Sequence, residues 1–257
     1  MHRSVRILAP IAAWALIGLV AGCGSGSKPA DEGPFGAGAD QYWLYRPDGK
    51  PRAVVVFLHG LHELELTPKN HIRWLEHLAE QGNAVVYPRY EVAPGDRGAL
   101  RHILVATRAA LVQLESPAVP RVVIGYSRGA RLAVEYTAIA LALPPVPSAV
   151  LSVFPGLLNP LAEEEVDFRT IHPSTRFVFM AGDKDRAVGS FGVRELLKRL
   201  RTSGFSPENV KAVLVRSRKG FQADHFAPLQ TTPAARKEFW ERADRLIDSV
   251  APRPRST

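Results

Sequence analysis

Along the chain, short apolar runs alternate with stretches in which apolar residues recur every three or four positions. The clearest run is Ala53–Leu58 (AVVVFL), rich in β-branched side chains and apolar throughout, the pattern of a strand covered on both faces. The aromatic-rich stretch 42–46 precedes it, and Pro47-Asp48-Gly49-Lys50 supplies turn chemistry between them. Together they predict an edge strand turning into a central one. Residues 70–81 place Ile72, Leu75 and Leu78 on one helical stripe, with Gly82 as a stop. A short strand follows at 84–87. Asp96 can cap a helix that runs to Leu114, and Ser116-Pro117 ends it. Arg121–Tyr126 reads as a strand and 127–143 as a helix that stops at Pro144-Pro145. Strands at 148–154 and 177–181, an amphipathic helix at 193–201 and a last strand at Val210–Val215 complete the alternation. Thr232-Pro233 opens a final helix to about 250, with threonine at the cap and proline at the first helical position. Such alternation predicts an α/β fold: a mostly parallel sheet with helices on both faces.

The first forty residues break this rhythm. A basic start (His2, Arg3, Arg6) leads into an apolar stretch, 7–20, that is short for a bilayer span and interrupted by Pro10 and Gly18. Small residues then reach Leu19-Val20-Ala21-Gly22-Cys23. A basic start, an apolar core and a small-residue cleavage site define a secretory signal peptide over 1–22. The last five residues resemble the bacterial lipobox, which implies lipidation of Cys23, a membrane anchor and an extracytoplasmic body. The stretch 23–40, rich in glycine, serine and proline, reads as a flexible linker, leaving one domain over 41–257.

Composition narrows the rest. Hydrophobic residues are 46% and charged residues 23% of the chain, which suits a globular domain and argues against a disordered body. The net charge of +8 is spread along the sequence without a nucleic-acid-binding motif. It suits either a solvated surface or attraction to anionic lipid headgroups. Cys23 is the single cysteine, so neither an internal disulfide nor a cysteine-based metal site can form.

The chemistry centres on Gly125-Tyr126-Ser127-Arg128-Gly129, a Gly-x-Ser-x-Gly pattern between a predicted strand and a predicted helix. In that context the chain must reverse sharply, which exposes the serine hydroxyl, and glycines on either side give the backbone room. From Tyr42 to the C-terminus the chain resembles the α/β-hydrolase family. The resemblance implies Ser127 as nucleophile, followed in sequence by an acid and then a histidine base. His225, in the loop between the last strand and the last helix, stands where the family places its base. His172 comes too early in the order. Gly182-Asp183-Lys184-Asp185-Arg186-Ala187-Val188 is similar to the family's acid loop and assigns Asp185 as the acid, with Val188 packing beneath and Asp183 as rival. The resemblance further implies an oxyanion hole from the backbone N–H groups of Leu61, in His59-Gly60-Leu61, and of Arg128. His62 and Glu63 could line the mouth of the site or simply occupy an exposed loop.

A serine nucleophile argues against the family's epoxide hydrolase, haloalkane dehalogenase and dienelactone hydrolase branches. Acyl transfer to water remains, on small-molecule or lipid esters, or on amides and peptides, with no metal or organic cofactor required. A non-catalytic binding lipoprotein is the third reading. The segment 155–175 leaves room for only a small lid or none. Glu163, Glu164 and Glu165 read as a solvated face, while Leu157, Leu158 and Leu161 suit either an acyl-pocket wall or the core. The oligomeric state is open.

Overall fold

In the computed structural model, residues 31–61, 65–93, 97–115, 118–156 and 166–251 are described. The elements run β1 (Asp31–Phe35), β2 (Tyr42–Tyr45), β3 (Ala53–Leu58), α1 (Ile72–Glu80), β4 (Asn83–Pro88) and α2 (Ala99–Leu114). They continue as β5 (Arg121–Tyr126), α3 (Arg128–Ile139), β6 (Pro147–Val153), β7 (Arg176–Gly182), α4 (Phe191–Thr202) and β8 (Val210–Val215). The chain closes with α5 (Pro233–Ala235), a π turn over Arg236–Trp240, and α6 (Glu241–Asp248). At the start of α5 the Thr232 hydroxyl accepts from the Ala235 N–H at 3.3 Å, and Pro233 takes the first position, as its sequence predicts.

All the strands form a single sheet in the order β1-β2-β4-β3-β5-β6-β7-β8. From β4 to β8 every neighbour is parallel; β1 and β2 run antiparallel at one edge. Alternation along β3 explains its continuous apolar run. Val55 and Phe57 pack with α1 (Trp74, Leu75, Leu78) and α6 (Leu246, Ile247). Val56 and Leu58 face the opposite layer, with Leu132 of α3, Ile103 of α2 and Leu196 of α4. A strand covered on both sides needs apolar side chains at every position. Each fully buried aliphatic or aromatic side chain there contributes roughly 1.5–3 kcal/mol.

Three expectations change. The linker expected over 23–40 is partly ordered: Asp31–Phe35 is strand β1, paired antiparallel with β2. Its polar residues carry no apolar signal because ladder pairing uses backbone groups. β2 pairs with β4 rather than with the β3 that follows it, and its residues are all buried, so β1 takes the edge expected of 42–46. Helix α2 begins after Gly98, in the left-handed region at φ 81°, whereas Asp96, Ser116 and Pro117 lie outside the described residues. So do Cys23, the whole segment 1–30, His62, Glu63, Leu157, Leu158, Leu161 and the run Glu163, Glu164, Glu165.

Candidate active site

Strand β5 delivers Ser127 at its C-terminal end, in a tight turn flanked by Gly125 and Gly129. Ser127 has φ 55° and ψ −120°, a strained conformation for a residue with a side chain. Its N–H donates to the Val153 carbonyl at 2.9 Å, and its own carbonyl accepts from Gly156 at 2.9 Å. A Cβ on Gly125 would stand 2.1 Å from the Gly129 carbonyl oxygen, and one on Gly129 would stand 2.2 Å from the His59 carbonyl oxygen. Both positions demand glycine because backbone occupies the space. The turn therefore needs its glycines for packing, and the serine is presented as a consequence.

The other expected residues converge on that hydroxyl. His225 Nε2 lies 2.9 Å from Ser127 Oγ, and its Nδ1 lies 2.9 Å from Asp185 Oδ2. Tyr126 donates its hydroxyl to the His225 carbonyl at 2.8 Å and tilts its ring against the imidazole, which fixes the loop. Asp185 accepts from the Ala187 and Val188 N–H groups at 2.9 and 3.1 Å. Burial pushes the Asp185 pKa up, but the His225 hydrogen bond and these backbone donors outweigh it and hold the carboxyl below its ordinary value. Asp183 points elsewhere: its carboxylate accepts from the Ser217 N–H and hydroxyl at 2.9 and 2.5 Å, tying β7 to the loop after β8. Val188 packs against the core beneath. His172 is exposed and bonds Ser174.

The loop after β3 closes the opposite side of Ser127. A Cβ on Gly60 would stand 3.2 Å from Ser127 Cβ, so this loop rests directly on the serine. Leu61, the next residue, is 51% exposed at the mouth. His59 is fully buried, with its ring nitrogens 2.7 Å from the Gly60 carbonyl and 2.8 Å from the Arg89 carbonyl. Burial lowers its pKa to about 4 despite those carbonyls, so the ring is neutral and donates to one of them.

Two carboxylates that the sequence did not single out support this shell. Glu65 is buried, accepts the Gly60 N–H and lies 3.5 Å from His71 Nε2. Burial raises its pKa, but His71, His59 and the Gly60 N–H together pull it below the ordinary value and keep it ionised. Glu91 is fully buried and pairs with the Arg128 guanidinium, which also stands over the Tyr90 ring at 5.7 Å. The Tyr90 hydroxyl in turn donates to the His59 carbonyl at 2.6 Å. Arg128 is thus a structural clamp through its side chain, besides offering a backbone N–H at the first turn of α3. An arginine directly after the serine was the only available hint of a buried partner.

Among the described residues no cluster of histidine, cysteine, aspartate or glutamate is arranged to hold a metal ion. The arrangement provides a polarised hydroxyl, an imidazole within proton-transfer distance, and a carboxylate that orients that imidazole.

No family model matches the chain, and no curated protein matches it in sequence. Solved structures do. Esterase B from Lactobacillus rhamnosis, inhibited by a tributyrin phosphonate, superposes with a TM-score of 0.62 at 17% identity over 86% of this chain and 85% of its own. Carboxyl esterase 2 from the mycorrhizal fungus Tuber melanosporum gives 0.64 at 15% identity, covering 88% and 89%. A highly thermostable carboxyl esterase from Bacillus coagulans, in complex with glycerol, gives 0.60 at 14% identity, covering 82% and 94%. With the strand order, the crossovers and the turn at Ser127, these likenesses establish that the chain has the α/β-hydrolase fold.

Proposed function

We propose that the protein is a serine hydrolase that cleaves carboxylic esters through an acyl-Ser127 intermediate. The observation that carries this reading is the continuous hydrogen-bonded chain from Ser127 Oγ through His225 to Asp185, at 2.9 Å on each side of the ring. Imidazole Nε2 takes the serine proton as Oγ attacks the ester carbonyl. Asp185 holds the Nδ1–H and stabilises the imidazolium that forms. The N–H groups of Leu61 and Arg128 receive the oxyanion, each worth about 3–4 kcal/mol to such a transition state. Collapse expels the alcohol with the proton from Nε2. Water, deprotonated by the same nitrogen, then releases the acid and restores the serine.

Ester substrates are favoured over amides by the company the fold keeps: the neighbours named above are esterases, one of them trapped by a triglyceride-like phosphonate. We further propose that residues 1–22 are a signal peptide and that Cys23 is lipidated, which would hold the domain on the outer side of a bacterial membrane. The support is the basic start, the apolar stretch and the cysteine in register.

The test is hydrolysis of p-nitrophenyl esters of graded acyl length by the full chain purified in detergent, beside Ser127→Ala. Turnover that the substitution removes is the expected result and sizes the acyl pocket. Absence of turnover, together with no fluorophosphonate labelling of Ser127, would reject the catalytic reading. Labelling without ester turnover would redirect the search to amides. For the anchor, an alkyne fatty acid fed to expressing bacteria should label the wild type and not Cys23→Ala.

A further inference from the structure

The two donors assigned to the oxyanion belong to separate elements: Leu61 to the loop after β3, Arg128 to the first turn of α3. The turn that ends β4 touches both of these elements. There the Glu91 N–H donates to the Arg89 carbonyl at 2.8 Å, and Tyr90 between them has φ 44°. That left-handed conformation is costly for a residue with a bulky ring, and it persists only where surrounding contacts hold it. Tyr90 is fully buried, and those contacts are specific. Its hydroxyl donates to the His59 carbonyl at 2.6 Å, and the His59 ring stacks on its own with centroids 4.1 Å apart. The Arg128 guanidinium stands 5.7 Å from the centre of the same ring. On either side of Tyr90 in sequence, the Arg89 carbonyl lies 2.8 Å from His59 Nε2, and the fully buried Glu91 carboxylate pairs with Arg128. Three consecutive residues thus grip His59, two positions before Leu61, and the side chain of Arg128.

We propose that Tyr90 and Glu91 are positioning residues that set the separation of the two oxyanion donors, the N–H groups of Leu61 and Arg128. The proposal rests on the ester-hydrolase reading. A donor stabilises the transition state fully only when it lies at hydrogen-bond distance from where the charge develops, not from the ground-state carbonyl. Two donors on separate elements meet that condition only if something fixes the elements against each other. The β4 turn does so through buried contacts that are complete before substrate arrives, so no reorganisation is needed as the charge forms. Its strained residue fits the same role, because backbone strain concentrates where a site needs a fixed geometry. Neither side chain touches the reacting atoms; both act through His59 and Arg128.

Two variants of the full chain test this. Tyr90→Phe keeps the ring and removes the hydroxyl; Glu91→Asp keeps the charge beside Arg128 and shortens its reach. Turnover is expressed per active site, counted by fluorophosphonate titration, so that a merely destabilised fraction drops out. In each variant kcat should fall about tenfold with KM within about twofold of the wild type. A trifluoromethyl ketone and the methyl ketone of the same alkyl chain supply the second reading. Ser127 Oγ adds to the trifluoromethyl ketone carbonyl, its proton passes to His225 Nε2, and the negative charge rests on the former carbonyl oxygen with nothing expelled. The methyl ketone binds without that addition, so a deformed pocket weakens both and cancels in the ratio of their inhibition constants. The preference for the trifluoromethyl ketone should shrink by the same factor as kcat. An unchanged kcat per labelled site, or a fall in kcat with the ketone preference intact, overturns the proposal and leaves the hydrolase reading standing. If Tyr90→Phe does not fold, Glu91→Asp decides by the same readings. A wild type with neither turnover nor labelling of Ser127 brings down both. If Ser127 labels without ester turnover, Tyr90→Phe should slow the labelling about tenfold, since the phosphonyl oxygen takes charge into the same donors; equal rates overturn the proposal.

Discussion

The two halves of the site are built differently. Around Ser127 the backbone itself is the scaffold: Gly125 and Gly129 lie against neighbouring carbonyls, and Glu65, Glu91, Arg128 and Tyr90 fill the space behind with buried polar contacts. Around His225 the structure is looser. Lys184, Arg186 and Phe226 are exposed, Asp183 braces the loop through Ser217, and an open cleft begins at the imidazole. The first half has little freedom to vary, because a single added carbon meets backbone. The second can change its surface while holding one hydrogen-bonded pair. The tightly packed turn that presents Ser127 and the more exposed loops around His225 are thus separated in space.

The largest effect should come from the link between the halves. His225→Gln should lower kcat at least about ten-thousandfold while the fold, read by circular dichroism, is retained. A loss below tenfold would mean that Ser127 is activated in some other way. Next, Gly129→Ala should destabilise the protein by roughly 4 kcal/mol or prevent folding, since its Cβ would meet the Leu58 and His59 carbonyl oxygens. Phe226→Ala, on the looser side, should change the urea midpoint little. Equal sensitivity of the two positions would erase the contrast.

Acid should probe the packed half selectively. His59 is neutral when folded, with its pKa lowered to about 4, while the unfolded chain takes up a proton near 6.5. Its contribution is therefore intact above pH 6.5 and is lost progressively as pH falls to about 4, a total of about 3 kcal/mol. Glu65 and Asp185, whose pKa values are depressed, keep their contribution above the ordinary carboxylate range and lose it only at lower pH. Urea unfolding at stepped pH should show the His59 slope, and His59→Phe should flatten it. An unchanged slope in that variant would show that His59 is not the group responsible.

The smallest expected effect sharpens the same contrast. Glu65→Gln keeps the size of the side chain but weakens its hold on the Gly60 N–H, beside the proposed oxyanion donor Leu61. A fall in kcat of about tenfold with KM unchanged is expected for a donor slightly misplaced in the transition state. A rise in KM alone would move Glu65 from the oxyanion loop to substrate binding.

Ser127, Asp185 and His225 were legible in the sequence because each follows a recognisable strand and the order along the chain restricts the choices. Asp183 and Asp185 were harder to separate. They are two residues apart on one loop, and only the side-chain directions send one to Ser217 and the other to His225. Glu65 and Glu91 left no such trace: a glutamate in a loop reads as solvated until its burial is known. Strand β1 was invisible for a related reason, since its ladder to β2 is made by backbone groups that every residue carries.

What the sequence determined by itself is the set of local periods and local necessities: apolar runs for doubly covered strands, helical stripes, and the glycines of a turn too tight for side chains. The tertiary structure alone decided which strand lies beside which, which carboxylate faces the imidazole, and which charges are buried in pairs and which are left at a cleft. The physical reason is range. Backbone sterics and side-chain periodicity act within a few residues and are written in neighbouring letters, whereas pairing, burial and electrostatic environment depend on residues such as 91 and 128, or 185 and 225, that meet only once the sheet has formed.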